Sequence, residues 1–194
     1  MTLVSLIEPS DAHPSVRAAL NEGMQQYGTA LSTWRALLHR PEIFNAYMPY
    51  LRSVAGPGEV PQRVKEAAAL TVAVLNHCRY SVSHRYHAAI AAGLTEDEVA
   101  ALVRGEASGL PASERLAVEY ARQLTLRPSQ VTHADDATAV DPSLLAELQT
   151  TFSEPQLVEL TADIALWNAL TRFHRVMDFP LDMPSPPETI DAVL

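Results

Sequence analysis

At 194 residues the chain is long enough for one domain with a sizeable core and too short for two independent domains. Hydrophobic residues make up 47 % of it and charged residues 19 %, a composition that excludes a disordered chain. The net charge of -9, with no run of basic residues, argues against a nucleic-acid partner.

Cysteine usage and the N-terminus bear on the compartment. The single cysteine, Cys78, excludes an intramolecular disulfide. Residues 1–14 lack the basic start and the long apolar run of a signal peptide, and no apolar stretch reaches the roughly 18 residues of a membrane span. We therefore expect a soluble, cytoplasmic protein with no membrane partner.

The first third of the chain predicts helices separated by glycine or proline. A first helix is predicted from Asp11, a possible N-cap, to Gly28. Two more are predicted at 31–38 and at 41–54, and Gly56-Pro57-Gly58 stops the latter.

The middle of the chain predicts the central helices. Residues 61–75 are apolar over most of a helical circumference, which is typical of a buried helix. A second helix is predicted over 79–92, ending at Gly93, and Thr95 with Glu98 forms a capping box for a third.

The last third predicts two helices and two irregular segments. The helices are expected at 113–126 and from the capping box at Ser153 to Phe173. Residues 127–142 are expected to form a surface loop or a partial helix, and are a candidate lid or insertion.

No segment alternates as a β-strand does, so the predicted class is all-α. We expect one domain over residues 1–178 and a proline-rich tail, 179–194, lying across the surface or across a neighbouring subunit.

The candidate site lies at the start of the helix predicted over 79–92. Helical spacing places Cys78, Ser81 and Arg85 on one face, with His84 at its edge and His87 on roughly the opposite side. These polar residues interrupt alanine-rich apolar sequence, where an unpartnered polar group costs free energy.

Two interpretations of Cys78 stay open. A helix N-terminus with Arg79 or Arg85 nearby favours a reactive thiolate. Free cysteine is also commonly a small, inert, buried side chain.

The sequence resembles the carboxymuconolactone decarboxylase and AhpD-like alkylhydroperoxidase superfamily. The similarity rests on Glu66, on Cys78 in the segment NHCRY, and on the segment HAAIAAGLTEDEV over residues 87–99. Segments RPE at 40–42, FSEPQLVEL at 152–160 and WNALTRF at 167–173 extend it. The resemblance implies an all-α, AhpD-like helical bundle.

In the peroxidase branch, the resemblance implies a glutamate, a C-x-x-C pair and a histidine four residues after the second cysteine. Here Glu66 and Cys78 match, whereas Ser81 and Arg85 occupy the positions of the second cysteine and the histidine. Serine cannot form the disulfide and arginine stays protonated, so the two-cysteine cycle is expected to fail.

Three hypotheses follow. The first is an enzyme of the family that acts on a small carboxylated or carbonyl-containing molecule by proton transfer, of decarboxylase, isomerase or lyase type. Its candidate catalytic residues are Glu66, Cys78, Ser81 and His84, and its candidate substrate-binding residues are Arg85 and Tyr80. The second is a thiol-dependent peroxidase that uses Cys78 alone. The third is a non-catalytic binding or assembly subunit in which Arg85 pairs with Glu66.

Other signals favour structural interpretations. Trp34, Trp167 and Phe173 are expected in the core. His174, with Arg172 and Asp178, is expected in a surface or interface cluster.

No metal or cofactor is expected. His133 beside Asp135 and Asp136 suggests at most weak metal binding, and no zinc, di-iron or glycine-rich phosphate motif is present.

Alanine-rich helices permit close backbone approach, and the resemblance implies dimers, trimers or hexamers assembled through them. We expect a homo-oligomer built on the alanines at 67–69, 88–89 and 91–92.

Overall fold

The computed structural model describes residues 2–127 and 140–191, and within these ranges it contains helices and no strand, which confirms the all-α prediction. The α-helices are α1 Arg17–Tyr27, α2 Ser32–Leu37, α3 Pro41–Ala55, α4 Gln62–Leu75, α5 Arg79–Ala91, α6 Glu96–Val103, α7 Ala112–Leu126, α8 Pro142–Thr151, α9 Glu154–Met177 and α10 Glu188–Asp191.

The N-terminus departs from the prediction of one helix capped by Asp11. Asp11 lies inside a short 3-10 turn, Pro9–Asp11, and a second turn, Pro14–Val16, precedes α1. The chain is extended at Ala12 and His13, so the first turn cannot continue into the second. The imidazole of His13, rather than the carboxylate of Asp11, accepts a hydrogen bond from the Ser15 amide.

Helix α4 is the centre of the domain, as its all-round apolar pattern predicted. It packs against α5, α7 and α9. Ala67, Ala68 and Ala69 are no more than 1 % exposed because their small side chains let these neighbours approach closely. These three alanines are therefore inside the single chain, and the expectation that they form a subunit contact is wrong for them.

Helix α9 closes the core on one side. The predicted capping box is present: the Ser153 hydroxyl accepts from the Gln156 amide, and the Gln156 side chain accepts from the Ser153 amide. The helix ends at Asp178, which adopts a left-handed conformation with φ 53°.

The sequence patterns did not correctly predict α8 and left the structure of residues 127–142 open. Helix α8 was not predicted; it begins at Pro142 after the Asp141 N-cap and buries Leu144 and Leu148. Of the predicted irregular segment 127–142, residues 128–139 lie outside the described residues, and so do His133, Asp135 and Asp136.

The segment after α9 folds back over the same chain. Phe179 packs beside Tyr80, and Ile190 of α10 is 2 % exposed in the cluster that α6 also lines. Between them lies Asp182, which reaches α2. In the described part of the chain, no helix combines the length and the hydropathy that a membrane crossing requires.

Candidate functional site

A cavity of about 580 Å³ opens between α1, α2, α3, α4, α5 and α9. Five of the six residues predicted for the site line it: Glu66, Tyr80, Ser81, His84 and Arg85. Cys78, the sixth, is 1 % exposed and is not part of the lining. Trp34, Tyr47 and Trp167 supply flat aromatic walls, so the expected core role of the two tryptophans is combined with contact to the cavity.

Arg85 is held on two sides. Its Nη1 atom donates to Glu66 Oε2 at 2.8 Å and to Oε1 at 3.1 Å. Its guanidinium lies over the ring of Trp167, and the amide of Gln62 donates to Glu66 Oε1 at 3.0 Å. Arg85 Nε is buried and has no hydrogen-bond partner among the described residues, so at least one donor of this cation remains unused beside the cavity.

Cys78 is the N-cap of α5, but its thiol is not activated. Burial raises the pKa of Cys78, and this outweighs the hydrogen bond with Ser81 and the more distant charge of Arg175, which lower it. The direction is opposite to the one that a helix N-terminus alone favours. The thiol donates to Ser81 Oγ at 3.1 Å, and Ser81 then separates it from the cavity.

His174, which the sequence predicts at the surface or at an interface, lies instead in the interior beside Ser81. His174 of α9 is 4 % exposed, so its expected place in a surface or interface cluster is wrong. Its Nδ1 atom lies 2.8 Å from Ser81 Oγ, and its Nε2 atom lies 3.0 Å from Thr33 Oγ1. Burial, with smaller contributions from His84 and Arg85 nearby, lowers the pKa of His174 to about 3. The imidazole is therefore neutral at physiological pH.

Asp182, from the C-terminal segment, is the second group that sequence patterns missed. Its carboxylate accepts from the Ser32 amide at 2.8 Å and from the Ser32 hydroxyl at 2.6 Å. The hydroxyl of Tyr80 also donates to it. Burial raises the pKa of Asp182, but the nearby His84 imidazole and these hydrogen bonds from Ser32 and Tyr80 together lower it. Asp182 is thus ionised and anchored to the N-terminus of α2.

His84 lies between this carboxylate and the cavity. Its Nε2 atom is 3.7 Å from Asp182 Oδ2, too long for a hydrogen bond, and the described part of the chain offers it no other hydrogen-bond partner. Burial lowers the pKa of His84 more than Asp182 raises it. The ring packs against Tyr80, with the two centroids 4.6 Å apart. His84 is therefore a neutral imidazole at pH 7 that can accept a proton.

A buried carboxyl group, that of Asp163, lies close enough to Glu66 and Arg85 to interact with their charges. Asp163 is 1 % exposed; its Oδ1 accepts from Trp167 Nε1 at 3.0 Å, and its Oδ2 has no hydrogen-bond partner within the described ranges. Burial first, and the charge of Glu66 second, raise the pKa of Asp163 to about 8. The group is mostly protonated at neutral pH, which leaves Glu66 as the charged partner of Arg85.

Gly56, Pro57 and Gly58 form part of the cavity wall, and hydrogen bonds with Glu159 and Lys65 hold this loop in place. Glu159 of α9 accepts from the amides of Glu59 and Val60, at 2.7 and 3.2 Å. Lys65, 1 % exposed, donates to Glu159 and to the carbonyl of Gly56. A buried charge pair thus fixes this loop.

His87 points away from the cavity, as its helical position predicted, and lies 3.2 Å from the carbonyl oxygen of Pro184. Among the described residues, no group of three or more His, Cys, Asp or Glu side chains could hold a metal ion.

The site segment matches a known family. The profile of the carboxymuconolactone decarboxylase family matches residues 41–123, which run from the start of α3 into α7 and include Glu66, Cys78 and Arg85. Over these residues the chain is similar to the carboxymuconolactone decarboxylase family. This confirms the resemblance seen in the sequence. Among curated proteins, none matches the chain.

Solved structures share the fold. The debrominase Bmp8, as a cysteine-to-alanine variant in complex with 2,3,4-tribromopyrrole, is 22 % identical with a TM-score of 0.80, over 100 % of this chain and 98 % of its own. An uncharacterised peroxidase-related protein with an AhpD core from Ralstonia eutropha JMP134 is 17 % identical, with a TM-score of 0.74, over 97 % and 94 %. A peroxidase-related protein from Silicibacter sp. TM1040 is 16 % identical, with the same TM-score and coverage. The AhpD-like helical bundle predicted from the sequence is therefore confirmed.

Proposed function

We propose that this protein is an enzyme that transfers protons on a small, planar molecule bearing a carboxylate or carbonyl group. The observation that carries the proposal is that four cavity-lining side chains each have a buried polar atom without a hydrogen-bond partner among the described residues: Trp34 Nε1, Gln62 Oε1, His84 Nε2 and Arg85 Nε. Of these, His84 and Arg85 are the ionisable ones, and both lie on α5. Buried polar atoms without partners are rare in folded proteins, and at a cavity they suit a polar ligand.

Arg85 is suited to bind the anionic end of such a molecule. Guanidinium groups bind carboxylates through directed hydrogen bonds, and this one cannot turn freely because Glu66 holds Nη1 and Trp167 lies against its face. The remaining buried donor, Nε, therefore has a fixed direction. Glu66 acts as the residue that positions Arg85, and it is not free to accept a substrate proton while it is paired.

His84 is suited to move the proton. A neutral imidazole can accept a proton from carbon or oxygen, and the adjacent Asp182 carboxylate stabilises the cation that results. The hydroxyl of Tyr80 is committed to Asp182, so its ring supplies surface for the ligand. Proton removal followed by return at another position is an isomerisation, and loss of carbon dioxide followed by protonation is a decarboxylation.

The aromatic walls support a flat ligand. Trp34 and Tyr47 line the same cavity as Trp167, and stacking on such rings favours planar, unsaturated molecules. The similar debrominase binds a planar ring, 2,3,4-tribromopyrrole. A planar substrate agrees with both observations.

The alternative of a single-cysteine peroxidase is less well supported. Such chemistry needs an accessible thiolate, whereas Cys78 is buried, does not line the cavity and has a raised pKa. A purely structural role does not account for the group of unpartnered polar atoms, within the described part of the chain, on side chains that line the cavity.

The test is exchange of carbon-bound hydrogen in D₂O, followed by NMR, with a panel of 2-oxo acids, carboxylated γ-lactones and pyrrole-2-carboxylate. We expect exchange or turnover with at least one compound, falling at least about 100-fold in His84→Gln, the range that general acid–base catalysis contributes. His87→Gln, a change on the same helix away from the cavity, is the matched control and should retain full activity.

Binding is tested separately with Arg85→Met. Its affinity for carboxylated members of the panel should fall by about tenfold or more, the loss of one charge-assisted hydrogen bond. Arg104→Met, at an exposed arginine, is the control. Equal activity in wild type and His84→Gln, or equal affinity in wild type and Arg85→Met, would overturn the proposal.

A further inference from the structure

A continuous chain of hydrogen bonds lies at one corner of the cavity. The donor and acceptor in each bond can be assigned by starting from one end of the chain. That end is Asp182, which as a carboxylate can only accept hydrogen bonds. The Tyr80 hydroxyl has one proton, and it donates that proton to Asp182. The oxygen of Tyr80 is then available only as an acceptor.

The next two bonds follow from this assignment. Thr33 Oγ1 lies 3.2 Å from the Tyr80 oxygen and must donate to it, because the only proton of Tyr80 is already used. Thr33 therefore accepts at its 3.0 Å contact with His174, so the proton of the neutral imidazole lies on Nε2. His174 Nδ1 is left as an acceptor.

The remaining bonds reach the cavity. Ser81 Oγ, 2.8 Å from His174 Nδ1, must donate to it. The thiol of Cys78 donates to the Ser81 oxygen, which still has one lone pair available. Ser81 and His174 both line the cavity. Ser81 Oγ can thus accept a hydrogen bond from a cavity ligand, because its own proton is already donated to His174.

We infer that Asp182 fixes the tautomer of His174 and is the terminal acceptor of a proton relay that begins at Ser81. When Ser81 Oγ takes a proton from a cavity ligand, its own proton passes to His174 Nδ1. The Nε2 proton of His174 passes to Thr33, the proton of Thr33 to Tyr80, and that of Tyr80 to Asp182. The ligand loses one proton, Asp182 gains one and becomes neutral, and every group between them keeps its proton count.

Burial makes this relay continuous. Thr33, Tyr80, Ser81 and His174 are 3, 6, 1 and 4 % exposed, so bulk water does not compete for their hydrogen bonds. The four residues come from α2, α5 and α9. The relay is a second path for a proton, in addition to direct transfer to His84. Asp182, from the C-terminal segment, takes part in both paths.

The orientation is tested on the free protein, without any ligand. Two-dimensional ¹⁵N NMR of histidine-labelled protein distinguishes protonated from unprotonated ring nitrogens. We expect His174 to be the neutral Nε2–H tautomer at pH 7. A dominant Nδ1–H tautomer or an imidazolium would overturn the inference without any mutation.

Variants that remove one of the hydrogen bonds linking Asp182 to His174 should change the preferred tautomer of His174. In Tyr80→Phe the Thr33 hydroxyl loses its acceptor, so it can donate to His174 Nε2 and favour Nδ1–H. Tyr120→Phe is the matched control, because Tyr120 is also a buried tyrosine whose hydroxyl is hydrogen-bonded, to Thr161 at 2.8 Å. If Tyr80→Phe leaves the His174 signals as in wild type, the coupling between Asp182 and His174 is refuted.

The proton-transfer step rests on the proposed function, whereas the orientation does not. In the D₂O exchange assay, Tyr80→Phe and Asp182→Asn should slow exchange at least about tenfold while ligand affinity stays within about twofold, a change in kcat with little change in KM. Exchange as fast as in wild type in both variants refutes the relay. Absence of exchange in the wild type refutes the proposed function instead, and the NMR tautomer still decides the orientation.

Discussion

Arg85 lies over the ring of Trp167, with its Cζ atom 4.1 Å from the ring centroid. A cation placed over an aromatic face gains about 0.5 to 2 kcal/mol, depending on how much water is excluded. Here the guanidinium is held by the ring of Trp167 and, through Nη1, by the carboxylate of Glu66. The two contacts together convert a long, flexible side chain into a rigid donor.

The first prediction concerns this pairing. Glu66→Gln should destabilise the protein by about 3 kcal/mol, because it leaves the charge of Arg85 buried without its partner. The double variant Glu66→Gln/Arg85→Met should recover a large part of that loss. Urea unfolding measures both.

The control for this cycle is an exposed pair. Arg104 and Glu106 form an ion pair 3.1 Å long with more than half of each side chain exposed, so Glu106→Gln should leave the unfolding midpoint unchanged. A loss below about 1 kcal/mol in Glu66→Gln would mean that water reaches Arg85.

The second prediction is a pH dependence set by Asp163. Its pKa rises from the ordinary 3.8 to about 8 on folding, so between these values the folded state holds one proton that the unfolded state lacks. The contribution to stability is complete below pH 3.8 and is lost as pH rises towards 8, by at most about 1.4 kcal/mol per pH unit.

Asp163→Asn removes this titration while keeping an oxygen for Trp167. The variant should show a flatter stability profile between pH 5 and pH 8, and should be at least as stable as wild type at the upper end. Urea unfolding at half-unit pH steps is the measurement. Parallel profiles of the two proteins would show that Asp163 does not titrate in this range.

The third prediction concerns the thiol. Because burial raises the pKa of Cys78, the folded protein should show no thiolate absorbance in the far ultraviolet at pH 8, whereas the urea-unfolded protein should show part of it. The same shift makes the folded protein less stable as pH rises above the unfolded thiol value of about 8.5. Cys78→Ala should abolish the absorbance change and leave proton exchange close to that of wild type. A thiolate in the folded protein at pH 7 would revive the peroxidase hypothesis.

The fourth prediction concerns the loop at the cavity wall. A Cβ atom on Gly58 would overlap the carboxylate of Glu159, so Gly58→Ala must displace this carboxylate, which binds the loop amides and Lys65. We expect a loss of about 1 to 3 kcal/mol, because buried partners lose their hydrogen bonds. Gly109→Ala, where no atom lies within 4 Å of the added Cβ, is the matched control and should be close to neutral. Similar unfolding curves for both variants would contradict the anchoring role of Glu159.

Local sequence patterns predicted the helices well because each carried its own signal. Helix α4 is apolar all round, and α6 and α9 begin at capping boxes. The cavity face of α5 also followed from spacing, since Ser81, His84 and Arg85 are close in sequence. Two local signals were misjudged: Asp11 is not the predicted N-cap, and the Asp141-Pro142 start of α8 was not recognised.

The other half of the site was not predictable from spacing. His174 and Ser81 are 93 residues apart, and Asp182 and Tyr80 are 102 apart, so only the packing of α9 and its following segment brings them together. The burial of Cys78 could not be predicted either, because a position at a helix N-terminus indicates the local charge environment and not how far the side chain is from solvent. Burial decided the direction of its pKa.

The contact between Ser32 and Asp182 spans 150 positions of the chain. A nascent chain leaves the ribosome N-terminus first, so α2 and α5 are both synthesised well before the carboxylate that joins them. The cavity corner can therefore be completed only at the end of synthesis, and a chain truncated after α9 would keep most of its helices while lacking that carboxylate. Long-range contacts of this kind form slowly and late in folding.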